Sequence, residues 1–216
     1  MSDYSNPNPA PQNPWAILPS DPFANEIFQV NRQLFRMNKY ELLDGAERPI
    51  LYADRPALRL ISHIGVYTDS AKTQKVLDIN QDGITILNDS YTVVDTGGRT
   101  IGFLKRRGWM SLLRRTWHIQ DASGQDVAVV QEDSMWKAVI RRTPYLNVIG
   151  AFFRTNYIIS RPGAIEPLGE FLRAYSLQDK HRLDLTRDTQ RTLDRRMAVA
   201  LGIVLDNVER RHSNEG

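Results

Sequence analysis

Residues 197–205 read MAVALGIVL, a run with no charged or hydrogen-bonding side chain, set between Arg195-Arg196 and Asp206. Ala, Leu and Met are strong helix formers, and the spacing predicts a helix from near Thr192 to about Arg210, with Asp188 or Thr189 as N-cap. A helix that is apolar on every side must be buried on every side. Nine residues fall well short of the roughly 20 that a bilayer span requires. Protein must therefore do the burying. Arg195, Arg196, Asp206, Glu209, Arg210 and Arg211 keep both ends in water, so the segment reads as an axis threaded through a closed barrel. Gly202 sits in its middle at a cost of about 1 kcal/mol relative to Ala. It is either a point of close approach by barrel side chains or simply tolerated.

Upstream, the chain consists of short β-prone runs punctuated by Asp/Gly turns. Phe28, Val30 and Leu34 begin the series. Tyr40, Leu42 and Leu43 lead into Asp44-Gly45, and Ile50, Leu51 and Tyr52 follow; Asp-Gly between two such runs is a strong hairpin signal. The device returns at Asp82-Gly83, at Asp95-Thr96-Gly97-Gly98 before Thr100–Leu104, and at Asp121-Ala122-Ser123-Gly124 before Val127–Val130. No long amphipathic helix separates these hairpins, which excludes parallel βαβ topology and favours a meander closing into a barrel or sandwich. Spacing is too irregular for a solenoid or propeller. Ser134 to Phe153 breaks the pattern and is expected as two short helices divided at Pro144. Tyr157–Ile159, Phe171–Tyr175 and His181–Leu185 return to strand. The expected class is mainly β with one central helix. Residues 1–25 hold six of the eleven prolines and are expected as a disordered tail, with the domain at 26–211 and a second short tail at 212–216.

The chain contains no cysteine, which removes disulfides, thiolate metal sites and Cys nucleophiles and suits a reducing cytoplasm. The N-terminus lacks a basic segment followed by an apolar core, so no secretory signal is expected. Net charge is only +3, but Arg99 to Arg154 carries ten Lys/Arg against four Asp/Glu. KRRGWMSLLRR and WKAVIRR mix cations with Trp109, Met110 and Trp136, the makeup of a membrane-surface contact. A basic loop beside a barrel core has the same composition. None of His63, His118, His181 and His212 has metal-ligand spacing with another, and His118, between Trp117 and Ile119, reads as structural. No nucleophile elbow, P-loop or dinucleotide fingerprint is present, and no catalytic constellation suggests an enzyme.

YELLDGAERPILYA, VVDTGGRTIGFLKR, TWHIQDASGQDVAVV and LDRRMAVALGIVLDNVE follow one another in an order that resembles the phospholipid scramblase and LURP-one-related families, which share the tubby-like barrel. The resemblance covers about residues 26–211 and implies a closed antiparallel barrel of about twelve strands around a C-terminal helix. It also implies calcium-dependent movement of phospholipids, or phosphoinositide binding on a basic face. The sequence departs from the scramblases: it has no palmitoylated Cys-rich segment and no long C-terminal hydrophobic segment. Where they carry an acidic calcium segment, it offers Asp179, Asp184 and Asp188 among Lys180, Arg182 and Arg187, a poor cage for an ion that wants six to eight oxygens. No cofactor is expected from the residues, calcium only by resemblance.

Two functions from different classes follow. The first is a peripheral barrel meeting an anionic phospholipid surface, at the inner face of the plasma membrane, through Lys105, Arg106, Arg107, Trp109, Arg114, Arg115, Trp136, Arg141 and Arg142. The second is a non-catalytic interaction module whose protein partner is taken by the Pro-rich tail or a barrel face. Nucleic acid is not expected as a partner.

Overall fold

The structure, a computed structural model, describes residues 21–32, 39–55, 63–82, 89–107, 116–132, 157–174 and 180–213. Among the described residues, twelve strands precede an α-helix: β1 (Ile27–Arg32), β2 (Lys39–Leu43), β3 (Pro49–Asp54), β4 (His63–Tyr67), β5 (Lys75–Gln81), β6 (Ser90–Val94), β7 (Thr100–Arg107), β8 (Thr116–Asp121), β9 (Asp126–Glu132), β10 (Tyr157–Ser160), β11 (Pro167–Ala174), β12 (Lys180–Asp184) and α1 (Arg195–Ser213). Each strand pairs antiparallel with its neighbours in sequence, and β12 returns to β1 with Ile27 opposite Asp184. The sheet closes on itself and leaves no edge strand to pair with another chain.

Alternation aims one face of every strand at the axis. Phe28 and Val30, Leu51 and Ala53, Leu77 and Ile79, Ala128 and Val130 are all buried on the inside. Met197 to Val204, Gly202 included, lie in that interior almost fully covered, with Leu205 at 1% exposure. The all-round apolar run is therefore the hub of the core, as its sequence requires. Close approach is allowed where β7 lacks a side chain. A Cβ at Gly102 would fall 2.2 Å from the Gln120 carbonyl oxygen and 3.0 Å from the Met197 methyl. At Gly202 a Cβ would meet Phe171 and Val30 at 3.4 Å, an ordinary van der Waals contact, so the packing does not demand glycine there and the reading that it is simply tolerated fits better.

Three of the expected turns share one construction. The Asp44 carboxylate Oδ1 accepts from the Ala46 and Arg48 N–H groups at 2.9 Å. Asp95 does the same for Gly97 and Arg99, and Asp121 for Ser123 and Gln125. The third residue after each Asp is left-handed: Glu47 (φ 61°), Gly98 (φ 77°) and Gly124 (φ 86°). A one-residue register shift lies beside each turn. This is a β-turn with a bulge rather than a two-residue loop centred on Asp-Gly. The aspartate starts the turn because its carboxylate collects backbone donors. The Arg48 N–H leads the hydrogen bonds that hold the Asp44 carboxyl below its usual range. A fourth turn of this kind, at Asp69 with Lys72 left-handed (φ 62°), has no glycine to announce it. Of the expected Asp82-Gly83 turn, Gly83 lies outside the described residues, although β5 and β6 on either side are paired.

Two boundaries move. The helix begins at Arg195, not near Thr192, because Asp194 is its cap: Oδ1 accepts from the Arg196 N–H at 2.8 Å, and the Asp194 carbonyl takes the first helical bond from Ala198. It runs to Ser213, past the expected end. The fold also starts before residue 26: Pro22–Ala24 form a 3-10 turn capped by Asp21, and Arg191 donates to the Phe23 and Ala24 carbonyls. The expected helices at 134–153 and the tail up to residue 20 lie outside the described residues. Among the described residues, no helix is long and apolar enough to cross a membrane.

Strand direction sorts the connections onto two rims. Turns 44–48, 68–74, 95–99, 121–125 and 161–166, together with 185–194 and the start of α1, share the hairpin rim. Connections 33–38, 55–62, 82–89, 108–115, 133–156 and 175–179 join strands at the opposite rim, which we call the loop rim.

Candidate functional site

Of the expected lipid-facing residues, the structure describes Lys105, Arg106 and the backbone of Arg107, all at the loop-rim end of β7. Lys105 is on the outer wall of β7, opposite Ser90 and His118, with its ammonium 5.2 Å from the centre of the Phe103 ring. Arg106 has the inward parity and is tied to the rim instead: its N–H donates to the Asp89 carbonyl at 2.8 Å, and Nη1 lies 3.5 Å from the Asp89 carboxylate. That pairing takes Arg106 away from the outer surface on which the sequence reading placed it. Arg107 ends β7 opposite Thr116. Trp109, Arg114, Arg115, Trp136, Arg141 and Arg142 lie outside the described residues.

What the barrel fixes is where those segments join it. Arg107 pairs with Thr116, Thr116 with Gln131, and Glu132 with Tyr157. Four consecutive strands thus end in one row, and both Trp-bearing connections, 108–115 and 133–156, are attached at adjacent points of that row. The loop-rim connections hold nine Lys/Arg (Arg36, Arg55, Arg59, Arg114, Arg115, Lys137, Arg141, Arg142 and Arg154) against four acidic residues, Asp82, Asp89, Asp133 and Asp179. On the hairpin rim, with residues 21–26 and the Arg195-Arg196 start of α1 included, eight Lys/Arg meet ten Asp/Glu. Large apolar residues in the connections there are limited to Ile165, Leu185 and Leu193, whereas every loop-rim connection carries at least one.

Inside the loop rim, the C-terminal half of α1 meets the wall through polar contacts that sequence reading did not pair. His181 Nδ1 is 3.2 Å from the Asp206 carboxylate, both almost fully buried, and the imidazole stacks on Phe171 at 5.1 Å. Asn207 Oδ1 accepts from Arg55 at 2.8 Å. These residues are 152 positions apart in the case of Arg55 and Asn207, so no local motif could have joined them.

Two of the calcium candidates, Asp184 and Asp188, are at the hairpin rim. Asp179 lies outside the described residues. Asp184 accepts from the Thr186 N–H at 3.1 Å, its hydroxyl at 2.7 Å and Arg182 at 3.0 Å. Asp188 is buried beneath the start of α1 and accepts from Thr192, the Leu193 N–H and Arg195. Arg195, only 3% exposed, also pairs with Glu26, which in turn meets Arg191 at 3.2 Å. Burial pushes the Asp188 carboxyl up, but the Leu193 N–H, Arg195 and Thr192 bonds outweigh it and leave it below its usual value. Protein donors thus already engage both carboxylates, and among the described residues no three His, Cys, Asp or Glu gather as a metal site. His118, read as structural from the sequence, has Nδ1 2.8 Å from the Asp126 carboxylate.

A model of the LURP-one-related protein family matches residues 58–206. No curated protein matches the chain. Among solved structures, an X-ray structure of a protein from Arabidopsis thaliana is similar over 89% of this chain and 98% of its own, with a TM-score of 0.52 and 10% identity. At that identity the likeness shows the fold: the closed twelve-stranded barrel with its helix, as the tubby-like resemblance implied.

Proposed function

The chain belongs to the LURP-one-related family, and on that premise we propose that it is a non-catalytic barrel that docks on anionic phospholipid surfaces with its loop rim. The observation that carries this reading is the contrast between rims. Both connections that combine Trp with paired arginines join the barrel side by side at the end where α1 finishes, while the opposite end is polar and slightly acidic. Each basic residue near an anionic leaflet contributes about 1 kcal/mol, and indole rings favour the headgroup level. Met197 to Asn207 take no part in the contact, because the wall encloses them. Lys105, beside Phe103 on the outer wall, extends the basic face below the rim.

Flotation with vesicles that contain or lack phosphatidylserine tests the reading. Binding should require the anionic lipid, fall with salt, and drop roughly tenfold or more in Arg114→Gln/Arg115→Gln. Equal flotation with and without anionic lipid refutes it. Lipid exchange, which the scramblase resemblance implies, is read afterwards in the same vesicles. The Pro-rich tail offers the rival reading, a protein-docking module, and pull-downs that compare the full chain with one starting at Asp21 separate the two.

A further inference from the structure

Away from the rim, the outer wall of β2, β3 and β4 carries a small block of residues whose chemistry the lipid reading does not use. Two rows run across the strands. Glu41, Tyr52 and Tyr67 are paired in one, and Lys39, Asp54 and Gly65 in the next. The missing side chain at Gly65 decides the shape. A Cβ there would lie 2.6 Å from the Tyr67 hydroxyl and 2.9 Å from its ring carbons, so the Tyr67 ring rests on the bare backbone of Gly65. The result is a cleft of about 40 Å³ lined by Lys39, Tyr52, Asp54, Tyr67, Ser70 and Lys72.

Something already occupies the cationic position in this cleft. The β4–β5 turn reaches back, and the Lys72 ammonium pairs with the Asp54 carboxylate while standing 5.8 Å from the centre of the Tyr67 ring. A carboxylate with an aromatic face is the arrangement by which proteins bind ammonium and quaternary ammonium groups. Lys72 is held there by a left-handed backbone (φ 62°), costly for a side chain with a Cβ, and the turn is locked by Asp69 bonds to Thr73. Burial above all, then the Glu41 charge and hydrogen bond and the Asp69 charge, push the Tyr52 phenol up. Lys39, at the open side, has no ion-pair partner among the described residues.

We propose that this cleft is a cation subsite for a phosphocholine-type group, with Lys72 as its tethered stand-in. The trimethylammonium takes the place of the Lys72 ammonium beside Asp54 and the Tyr67 ring. The attached phosphate meets Lys39 and the released Lys72. A lipid headgroup and free phosphocholine present the same chemistry, and the test separates them.

Titrations of the full chain with choline chloride, phosphocholine and inorganic phosphate, followed by backbone amide NMR, should move the Gly65, Tyr67, Ser70 and Lys72 signals with the first two ligands. Lys72→Gly removes the tethered competitor and suits the left-handed backbone, so it should bind choline about tenfold more tightly while melting no lower than the parent. Asp54→Asn and, independently, Tyr67→Leu should weaken choline binding at least tenfold. Full perturbation by inorganic phosphate alone, or unchanged choline affinity in Lys72→Gly, overturns the proposal. Phosphatidylcholine vesicles that broaden the same signals assign the site to the lipid headgroup, and response to free phosphocholine alone assigns it to a small molecule. Arg114→Gln/Arg115→Gln should leave the choline response intact, so failure of the rim reading and failure of the cleft are separate results.

Discussion

The two rims are built from opposite ends of the same twelve strands yet solve different problems. At the hairpin rim each Asp44-, Asp69-, Asp95- and Asp121-type turn closes its own backbone hydrogen bonds with a carboxylate, and a buried Asp188–Arg195 pair, with the more exposed Glu26 beside it, fixes the entry of α1. At the loop rim the connections are basic and apolar, and α1 is held by His181 and Arg55 instead. One end is thus closed by its own carboxylates, and the other is the end that the proposed function turns toward a membrane.

Acid should break this contrast most completely. Asp44, Asp69, Asp95, Asp121, Asp184 and Asp188 all have carboxyls held below their ordinary value. A depressed folded pKa contributes stability that is present above the unfolded value, about 3.9, and is lost as pH falls through the folded value. These aspartates therefore predict melting temperatures that change little between pH 7 and 5 and collapse below about pH 4. A steady decline from pH 7 would mean that they are not the controlling groups.

Next in size is Arg195→Met. It strands the Asp188 carboxylate in the interior, and urea unfolding should register a loss of about 3–5 kcal/mol. Glycines on the two halves of the core sharpen the comparison further. Gly102→Ala drives a Cβ into the Gln120 carbonyl and should cost about 3 kcal/mol, whereas Gly202→Ala meets only side-chain contact at 3.4 Å, and its helix-propensity gain of about 1 kcal/mol should leave it near neutral. The turns give the smallest effects. Asp95→Ala should lower the melting temperature slightly, and Glu47→Gly should gain about 0.5–1 kcal/mol by relieving the left-handed position. A stabilising effect of Asp95→Ala would show that the carboxylate bonds contribute nothing.

Much of this was legible in the sequence because its determinants are local. Met197 to Leu205 announces its own burial, and an aspartate before a β-prone run marks a turn. The details failed where two residues of one type compete. Asp188 and Asp194 both precede the helix, but the nearer caps it and the farther is buried under it. Turn 68–74 escaped because Lys72 fills the position where glycine would have signalled it. Of the expected rim residues, Arg106 is diverted by Asp89, a partner on another strand connection. The cleft was invisible, since Lys39, Asp54, Tyr67 and Lys72 come from different elements and meet only through register.

The position of α1 in the chain has a temporal consequence. Its apolar run is the hub of the core, but it follows all twelve strands, and β1 finds its second partner only in β12. During synthesis the ribosome therefore delivers a complete wall before it delivers what fills the wall. Until Met197 to Leu205 emerges, the nascent sheet has two open edges and an uncovered apolar face, the condition in which chains depend on chaperones and are most easily lost to aggregation. Contacts between such distant segments also make closure slow. The vulnerable interval in folding is thus the one in which β12 has emerged and Met197 to Leu205 has not.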